Sequence, residues 1–515
     1  MNRSDPLTRF AAYVLARTLD VPKRTPSGSR SGRARDSSQS PRCGVPARNT
    51  PWRWGYVDVP KRRGRGRRVP VAGARAVEPR RGVALVGVLV MLTILTVFIA
   101  ELTENSSSAF HATVSERDRL KAEYLAKSGL NLTRLLIDRE PDIRRAVAPL
   151  YAILTGHPPP QLNVWDFATQ ILAPFSDPEV AKGYSDSAGI DFGLMEGLTD
   201  MGGTFDLVAI PENSMINVNS QLFFSADDAR RSIAMQLFAL MGGYQSPNSP
   251  FDPMFATRDP DGQFTTRLDI VSDLIDWWDF DEQRTVFDPG GSQVAVAGSE
   301  DDMTSRYADP YEVKNAPYDS VEELRLIRGV GDDFWSTFIE GDPEDPKSRK
   351  LTIYGSGALN PNLAGPEVLL ARLCSFLIEQ PLCQKAEQQA AFIMLFSTAR
   401  SLFPVAPFTQ ASDFLAFVSG QGSGRDLYPT LMTFLGPDNP LMLWTPLTIP
   451  PEQQNAIQHS FVTSAAIFTL QSTGHVGHAR VRISAVVNFH ERWTPPPPNT
   501  AKPPPLGVVQ HYRIE

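Results

Sequence analysis

Residues 80–100 read RRGVALVGVLVMLTILTVFIA, and the choice of fold turns on them. From Val83 to Ala100 there is no charged residue. At about 1.5 Å of rise per residue the run is about 27 Å long, close to the hydrocarbon thickness of a bilayer. A core helix of a soluble protein would show a polar face, and none is visible. Arg80 and Arg81 stand just before the run, Glu101 and Glu104 just after it. This asymmetry predicts a cytoplasmic N-terminal side and an exported body. A secretory signal peptide is the rival, but it needs a small-residue cleavage site directly after the apolar run. The next residues are instead ELTENSSSAF, and then RDRLKAEYLAKSGLNLTRLLI. Leu120, Tyr124, Leu125, Leu130, Leu135 and Leu136 recur there at helical spacings. The apolar run is therefore expected to be the first half of one long, retained helix.

Around this helix, the 515 residues carry a net charge of −7, which hides two unlike parts. Residues 1–82 hold 20 basic and 5 acidic residues, net +15, leaving 30 and 52 for residues 83–515, net −22. An acidic body is a poor partner for nucleic acid, whose phosphates need positive faces. The basic head (GSRSGRARDSSQSPR, KRRGRGRR) lacks the apolar periodicity needed to bury a core. It reads as a disordered tail, or as sequence upstream of the true start. No methionine lies between Met1 and Met91, and a start at Val77 would leave Glu78-Pro79-Arg80-Arg81-Gly82 as a short leader. The full chain is 42% hydrophobic and 21% charged, which rules out a wholly disordered or many-spanning protein. The three cysteines, Cys43, Cys374 and Cys383, show no CxxC or Cys/His metal spacing. Cys374 and Cys383 are a disulfide if the body lies in an oxidising compartment, and two buried thiols otherwise.

The body mixes the two periodicities. Thr204–Ile210 reads as a strand, Ala226–Met241 as a helix closed by Gly242-Gly243, and Leu268–Trp278 as a helix ending in acidic residues. Val321–Ile327 reads as a helix capped by Asp319 or Ser320, Leu351–Tyr354 as a strand, and Glu367–Ile378 as a helix. Two or three more helices fill 384–436. Phe461–Gln471, Ala479–Phe489 and Val508–Ile514 alternate as strands. A turn is expected at Thr473–Gly477, with a polyproline spacer over 494–505. Asn217-Val218-Asn219 is echoed by Asn360-Pro361-Asn362, each ahead of a helix, and turn-and-cap roles explain both. His475 and His478 read as surface hairpin residues rather than metal ligands.

The pieces and their order resemble the minor pseudopilin K family of the type II (general) secretion system. The resemblance covers most of residues 77–515. RRGVALVGVLV resembles the processing site of type IV pilin-like proteins. AEYLAKSGLNLTRLL, INVNS, DLIDWWDFDEQ, GSEDDMTSRY, YEVKNAPYDSVEELRLIRGV and LTIYGSGALNPNLAGPEVLLARL follow in the family's order. The chain departs in its head, its proline spacer and LNPNLAG, where the family more often has Asn-Thr-Ala after the second asparagine. The resemblance implies an α+β fold, with a long N-terminal helix, transmembrane in its first half, packed on an antiparallel sheet. A large all-α domain is inserted into that sheet. The expected division is head 1–82, membrane part 83–100, amphipathic continuation 101–138, αβ domain 139–221 with 437–515, and insert 222–436. It further implies cleavage by a prepilin peptidase between Gly82 and Val83, leaving Gly87 where most subunits carry a glutamate that answers a neighbour's terminal amine. A subunit with nothing above it needs no such glutamate. The implied role is non-enzymatic, at the pseudopilus tip, in the bacterial inner membrane with a periplasmic body. The implied partners are other minor pseudopilins, the major pseudopilin below and the inner-membrane secretion platform. A type IV pilus tip is the alternative.

Asp276, Asp279 and Asp281 lie in DWWDFD, and Glu300, Asp301 and Asp302 follow one loop later. Oxygen-only donors suit Ca²⁺, though the spacing is not an EF-hand and by itself reads as a solvated acidic turn. The resemblance implies calcium in this loop, with Asp279, Asp281, Glu300 and Asp301 foremost. Trp277 and Trp278 could wall a catalytic carboxylate, but no GxSxG, HExxH or P-loop accompanies them. Gly329-Val330-Gly331 resembles a helix-hairpin-helix turn, yet Asp332 and Asp333 follow at once and would repel phosphate.

Overall fold

Val83–Thr155 forms one continuous helix, α1, in the computed structural model. The structure describes residues 83–156, 159–175, 177, 179–183, 201–219, 225–258, 264–300, 311–342, 345–402, 406–421, 427–436, 439, 444–490 and 506–515. The basic head with Gly82, Asp301 and Asp302, and the proline spacer lie outside the described residues. The chain divides into two units between Ala112 and Thr113, and each is taken by itself. In the first, residues 84–112 of α1 are exposed, including the run from Leu85 to Ile99. Its mean hydropathy peaks at 2.6 over 18 residues, long and apolar enough to cross a membrane.

The second unit is built in two layers. After α1 come α2 (Ala168–Leu172), β1 (Thr204–Pro211), β2 (Ile216–Asn217), α3 (Ala226–Leu240), α4 (Arg267–Asp276), β3 (Gln283–Asp288), β4 (Gln293–Ser299) and β5 (Leu351–Thr352). Then follow α5 (Pro366–Cys374), α6 (Ala386–Leu402), α7 (Ala411–Val418), α8 (Leu427–Leu435), α9 (Pro451–His459), β6 (Ile467–Val476), β7 (Ala479–Asn488) and β8 (Val508–Ile514). One sheet has the order β1-β6-β7-β8, antiparallel throughout. β1 and β6 are hydrogen-bonded neighbours, Pro211 opposite Phe468, so residues 212–466 are an insertion between adjacent strands. The fold is α+β: a long helix on an antiparallel sheet, with a large, mainly helical insertion.

The helix–sheet contact explains which α1 residues are buried. Ala122, Leu125, Ala126, Gly129, Leu130, Thr133, Leu136 and Ile137 are buried at spacings of three and four. They face Phe205, Leu207 and Ala209 of β1, Phe468 and Leu470 of β6, and Val481, Ile483 and Ala485 of β7. The stripe corrects the expected one, because Leu120, Tyr124 and Leu135 are exposed. Small residues replace them so that the helix backbone can approach the sheet. A Cβ on Gly474 would lie 2.0 Å from the Ala122 carbonyl oxygen, and one on Gly129 would lie 2.7 Å from Ser472 Oγ. Because Gly474 works inside the strand, β6 runs on to Val476, and the turn is Gly477-His478 rather than 473–477.

The insertion has its own hydrophobic cluster, running from Ile216 and Val218 through Trp444, Leu447, Ile457 and Phe461. It thus takes in residues on both sides of 222 and 436. The Asn-x-Asn motifs organise it twice on one plan. In each, the first asparagine's Oδ1 accepts from the second's backbone N–H, 2.8 Å for Asn217/Asn219 and 2.9 Å for Asn360/Asn362. The second asparagine then clamps one distant residue from both sides. Asn219 donates to the Tyr318 carbonyl and accepts from its N–H, at 2.9 and 3.0 Å. Asn362 does the same with Phe408, at 2.8 and 3.0 Å. After each clamped residue a helical segment begins with a reciprocal cap, Ser320 N–H to Glu323 and Gln410 N–H to Asp413. The asparagines make turns but do not cap the following helices. Ser225 caps α3 through its side chain, and Gly365 precedes α5.

Candidate metal centre

α4 begins at a capping box in which the Thr266 hydroxyl accepts from Asp269 N–H while Asp269 accepts from Thr266 N–H. Ile270, Val271, Leu274 and Ile275 bury one face of α4, and the same helix carries Asp273 and Asp276 into the interior. The chain then turns on Ile275, whose carbonyl accepts from both Trp278 and Asp279 N–H. That turn points Asp279 back toward Asp276.

Next comes a hairpin where a loop was expected between Asp281 and Glu300. β3 and β4 pair antiparallel around Asp288–Gln293, with the Asp288 carboxylate accepting from Gly290 and Gly291 N–H. DPGG between TVF and VAVA was the signal for it. By placing Ser299 opposite Gln283, the hairpin brings Glu300 back to the end of α4.

Asp276, Asp279 and Glu300 each offer a carboxylate oxygen within 4.8 Å of the others. They are 0%, 2% and 3% exposed. Asp276 Oδ1 accepts from Thr285 N–H at 2.8 Å. Asp276 Oδ2, Asp279 Oδ1 and both oxygens of Glu300 are buried without a hydrogen-bond donor. Burial in low dielectric is the main reason these groups resist ionisation. It lifts Asp276 to about 7, against the opposing Thr285 hydrogen bonds. Asp279 rises to about 6, against the pull of Arg230, and Glu300 to about 8, aided by repulsion from Asp279, Asp276 and Asp281. Asp273 also rises to about 8 through burial, with Arg284 opposing.

The other expected site residues fall differently. Asp281 is drawn away: it forms an ion pair with Arg230 and accepts from Gln283 N–H at 2.9 Å. Arg230, on α3, also sits 2.9 Å from Asp279 Oδ2. Arg230 and Thr285 were not expected here, and no local motif marks them. Val83 opens α1, and a Cβ at Gly87 would meet nothing within 4 Å. Cys374 and Cys383 are joined in a disulfide, with Cα atoms 5.5 Å apart. His475 Nε2 lies 2.9 Å from Asp206 Oδ2 on the neighbouring strand. Trp277 is in the insert core, its Nε1 donating to Glu323 at 3.2 Å.

The donor set is oxygen only, and it is incompletely satisfied by the protein. Both properties fit a hard divalent cation such as Ca²⁺. Fold and site together define a class: an α+β protein with a membrane-length helix and a buried carboxylate cluster in a mainly helical insertion. Compared by sequence, the chain matches no protein family and no curated protein. Among solved structures it is similar to a chain of the GspK–GspI–GspJ complex from the type 2 secretion system of enterotoxigenic Escherichia coli. The TM-score is 0.33 at 12% identity, over 61% of this chain and 78% of that one.

Proposed function

We propose that this chain is a non-enzymatic minor pseudopilin that caps the tip of a type II secretion pseudopilus and helps to nucleate its assembly. The observation that carries the reading is α1 itself, apolar and exposed over its first half and laid on a four-stranded sheet over its second. A membrane-length helix continuous with a sheet-packing helix lets one subunit wait in the bilayer and then move into a fibre. The Arg80-Arg81-Gly82/Val83 junction fits processing on the cytoplasmic side. Gly87 supports the tip position, since a carboxylate in an apolar bundle is costly unless a neighbour's charge meets it. Residues 212–466 give bulk above the sheet that would stop further addition on that side. The disulfide supports an oxidising, periplasmic location for the body.

On this reading, other minor pseudopilins dock beside the subunit and major subunits are added beneath, so that the fibre supports export of folded proteins. Asp276, Asp279 and Glu300 would hold calcium, which supplies the positive charge that the buried carboxylates lack. Closed to solvent as they are, these carboxylates are better placed to hold an ion than to meet a substrate. Replacing residues 212–466 by a short turn between β1 and β6 tests the cap. Secretion should fall and fibre length should change; normal secretion with unchanged fibres would contradict it.

A further inference from the structure

The role of Arg230 rests on the divalent-cation reading of the acidic cluster. Three buried carboxylates within 4.8 Å of one another cannot all stay ionised unless positive charge stands beside them. Arg230 is the cation at their edge. Its side chain is only 10% exposed, and it reaches from α3 with Nε 2.9 Å from Asp279 Oδ2 and Nη2 on Asp281. Nη1 lies 3.5 Å from Asp227 as well. Guanidinium does not lose its proton in proteins, so this charge is permanent. Arg284, a second arginine near these acids, is committed to Asp269 and Asp273, at 3.3 and 3.5 Å. Among the described residues, the ion pairs of Asp279 and Asp281 are both with Arg230.

A divalent ion held by the cluster would then share the Asp279 carboxylate with Arg230. Like charges at that separation repel, and Asp281 is held on the arginine when it could otherwise add a fourth carboxylate to the site. We propose that Arg230 is a built-in counter-cation: it holds the cluster together in the metal-free protein and, by the same contacts, weakens the site's affinity for a divalent ion. The alternative is a supporting contact that aims Asp279 at the ion, as outer-shell partners of metal ligands commonly do. The two differ in sign. Losing a supporting contact weakens metal binding, whereas losing a competing cation strengthens it.

Calorimetric titration of CaCl₂ into chelator-stripped, detergent-solubilised full-length protein separates them. Arg230→Gln should bind Ca²⁺ roughly tenfold or more tighter than wild type, because a fixed positive charge has gone from a low-dielectric site. Its metal-free melting temperature should fall, and added calcium should recover more of it than in wild type. Equal or weaker binding by Arg230→Gln would overturn the proposal while leaving the metal site standing. If that variant does not fold, Arg230→Gln with Asp281→Asn removes both halves of the ion pair and keeps the net charge. The double variant should bind within a few-fold of wild type, and a tenfold loss would show that Arg230 aims Asp279, overturning the proposal. Absence of binding by wild type and variants alike would overturn both the proposal and the calcium reading. Binding by Arg230→Gln alone would support it.

Discussion

Gly474 shows how single residues set this fold. Its missing side chain lets the Ala122 carbonyl oxygen come within 2.0 Å of where a Cβ would stand. Gly474→Val should therefore cost stability at the upper end of the usual about 1–3 kcal/mol for overpacking, read from the denaturation midpoint. A midpoint like wild type would mean that α1 does not lie on β6 as described. Such a contact is illegible in sequence, because neither Ala122 nor Gly474 is unusual until two distant segments meet. The acidic cluster was half legible. DWWDFD and the acidic run at Glu300 announced its members, but only the fold separates Asp276 and Asp279 from Asp281 and recruits Arg230. Its pH dependence has a definite sign. Asp276, Asp279 and Glu300 are lifted to about 7, 6 and 8 from ordinary values of 3.8, 3.8 and 4.5. The metal-free folded state thus keeps protons that the unfolded chain has released. This contribution is fully present below the ordinary carboxylate range and is lost as pH rises through the folded values. The melting temperature of chelated protein should fall between about pH 5 and about pH 8, and calcium should restore more at the higher pH. Equal melting at both, with or without calcium, would remove the site.

At the scale of elements, periodicity read helices well and their burial less well. α3 and α4 stand where their apolar spacing and caps put them. α1 was legible as a long helix, yet its buried stripe is made of alanine, glycine and threonine as much as leucine. Sequence logic weights large apolar residues, whereas close helix–sheet packing here favours small ones. The β3–β4 hairpin was missed because β4 is almost wholly exposed and lacks the alternation of a half-buried strand. The disulfide ties the end of α5 to the short helical turn Pro381–Gln384 that leads into α6. It closes a loop with a sequence separation of only nine. In the chain-entropy account a loop that short is worth roughly 2–3 kcal/mol. Reduction, or Cys374→Ala with Cys383→Ala, should lower unfolding free energy by about that amount, as measured by chemical denaturation. No change on reduction would mean the bond is not formed in the purified protein.

For the whole molecule, the decisive relation is between β1 and β6, adjacent in the sheet yet separated by the entire insertion. Alternating strands at both ends and helices between them made this architecture readable from sequence. The pairing itself became plain only when Thr204–Pro211 met Phe468–His475 in register. The anchor was the most legible part, since 18 uncharged residues leave few physical alternatives. The proposed function depends on this apolar helix being processed and then retained as a pilin-like helix. The decisive experiment is mass spectrometry of the N-terminus of the mature protein, recovered from membranes. A pseudopilin should yield a chain that begins at Val83, immediately after Gly82. A mature chain beginning beyond about residue 100 would show that the apolar run is a signal peptide removed on export, and the pseudopilin reading would fall with it.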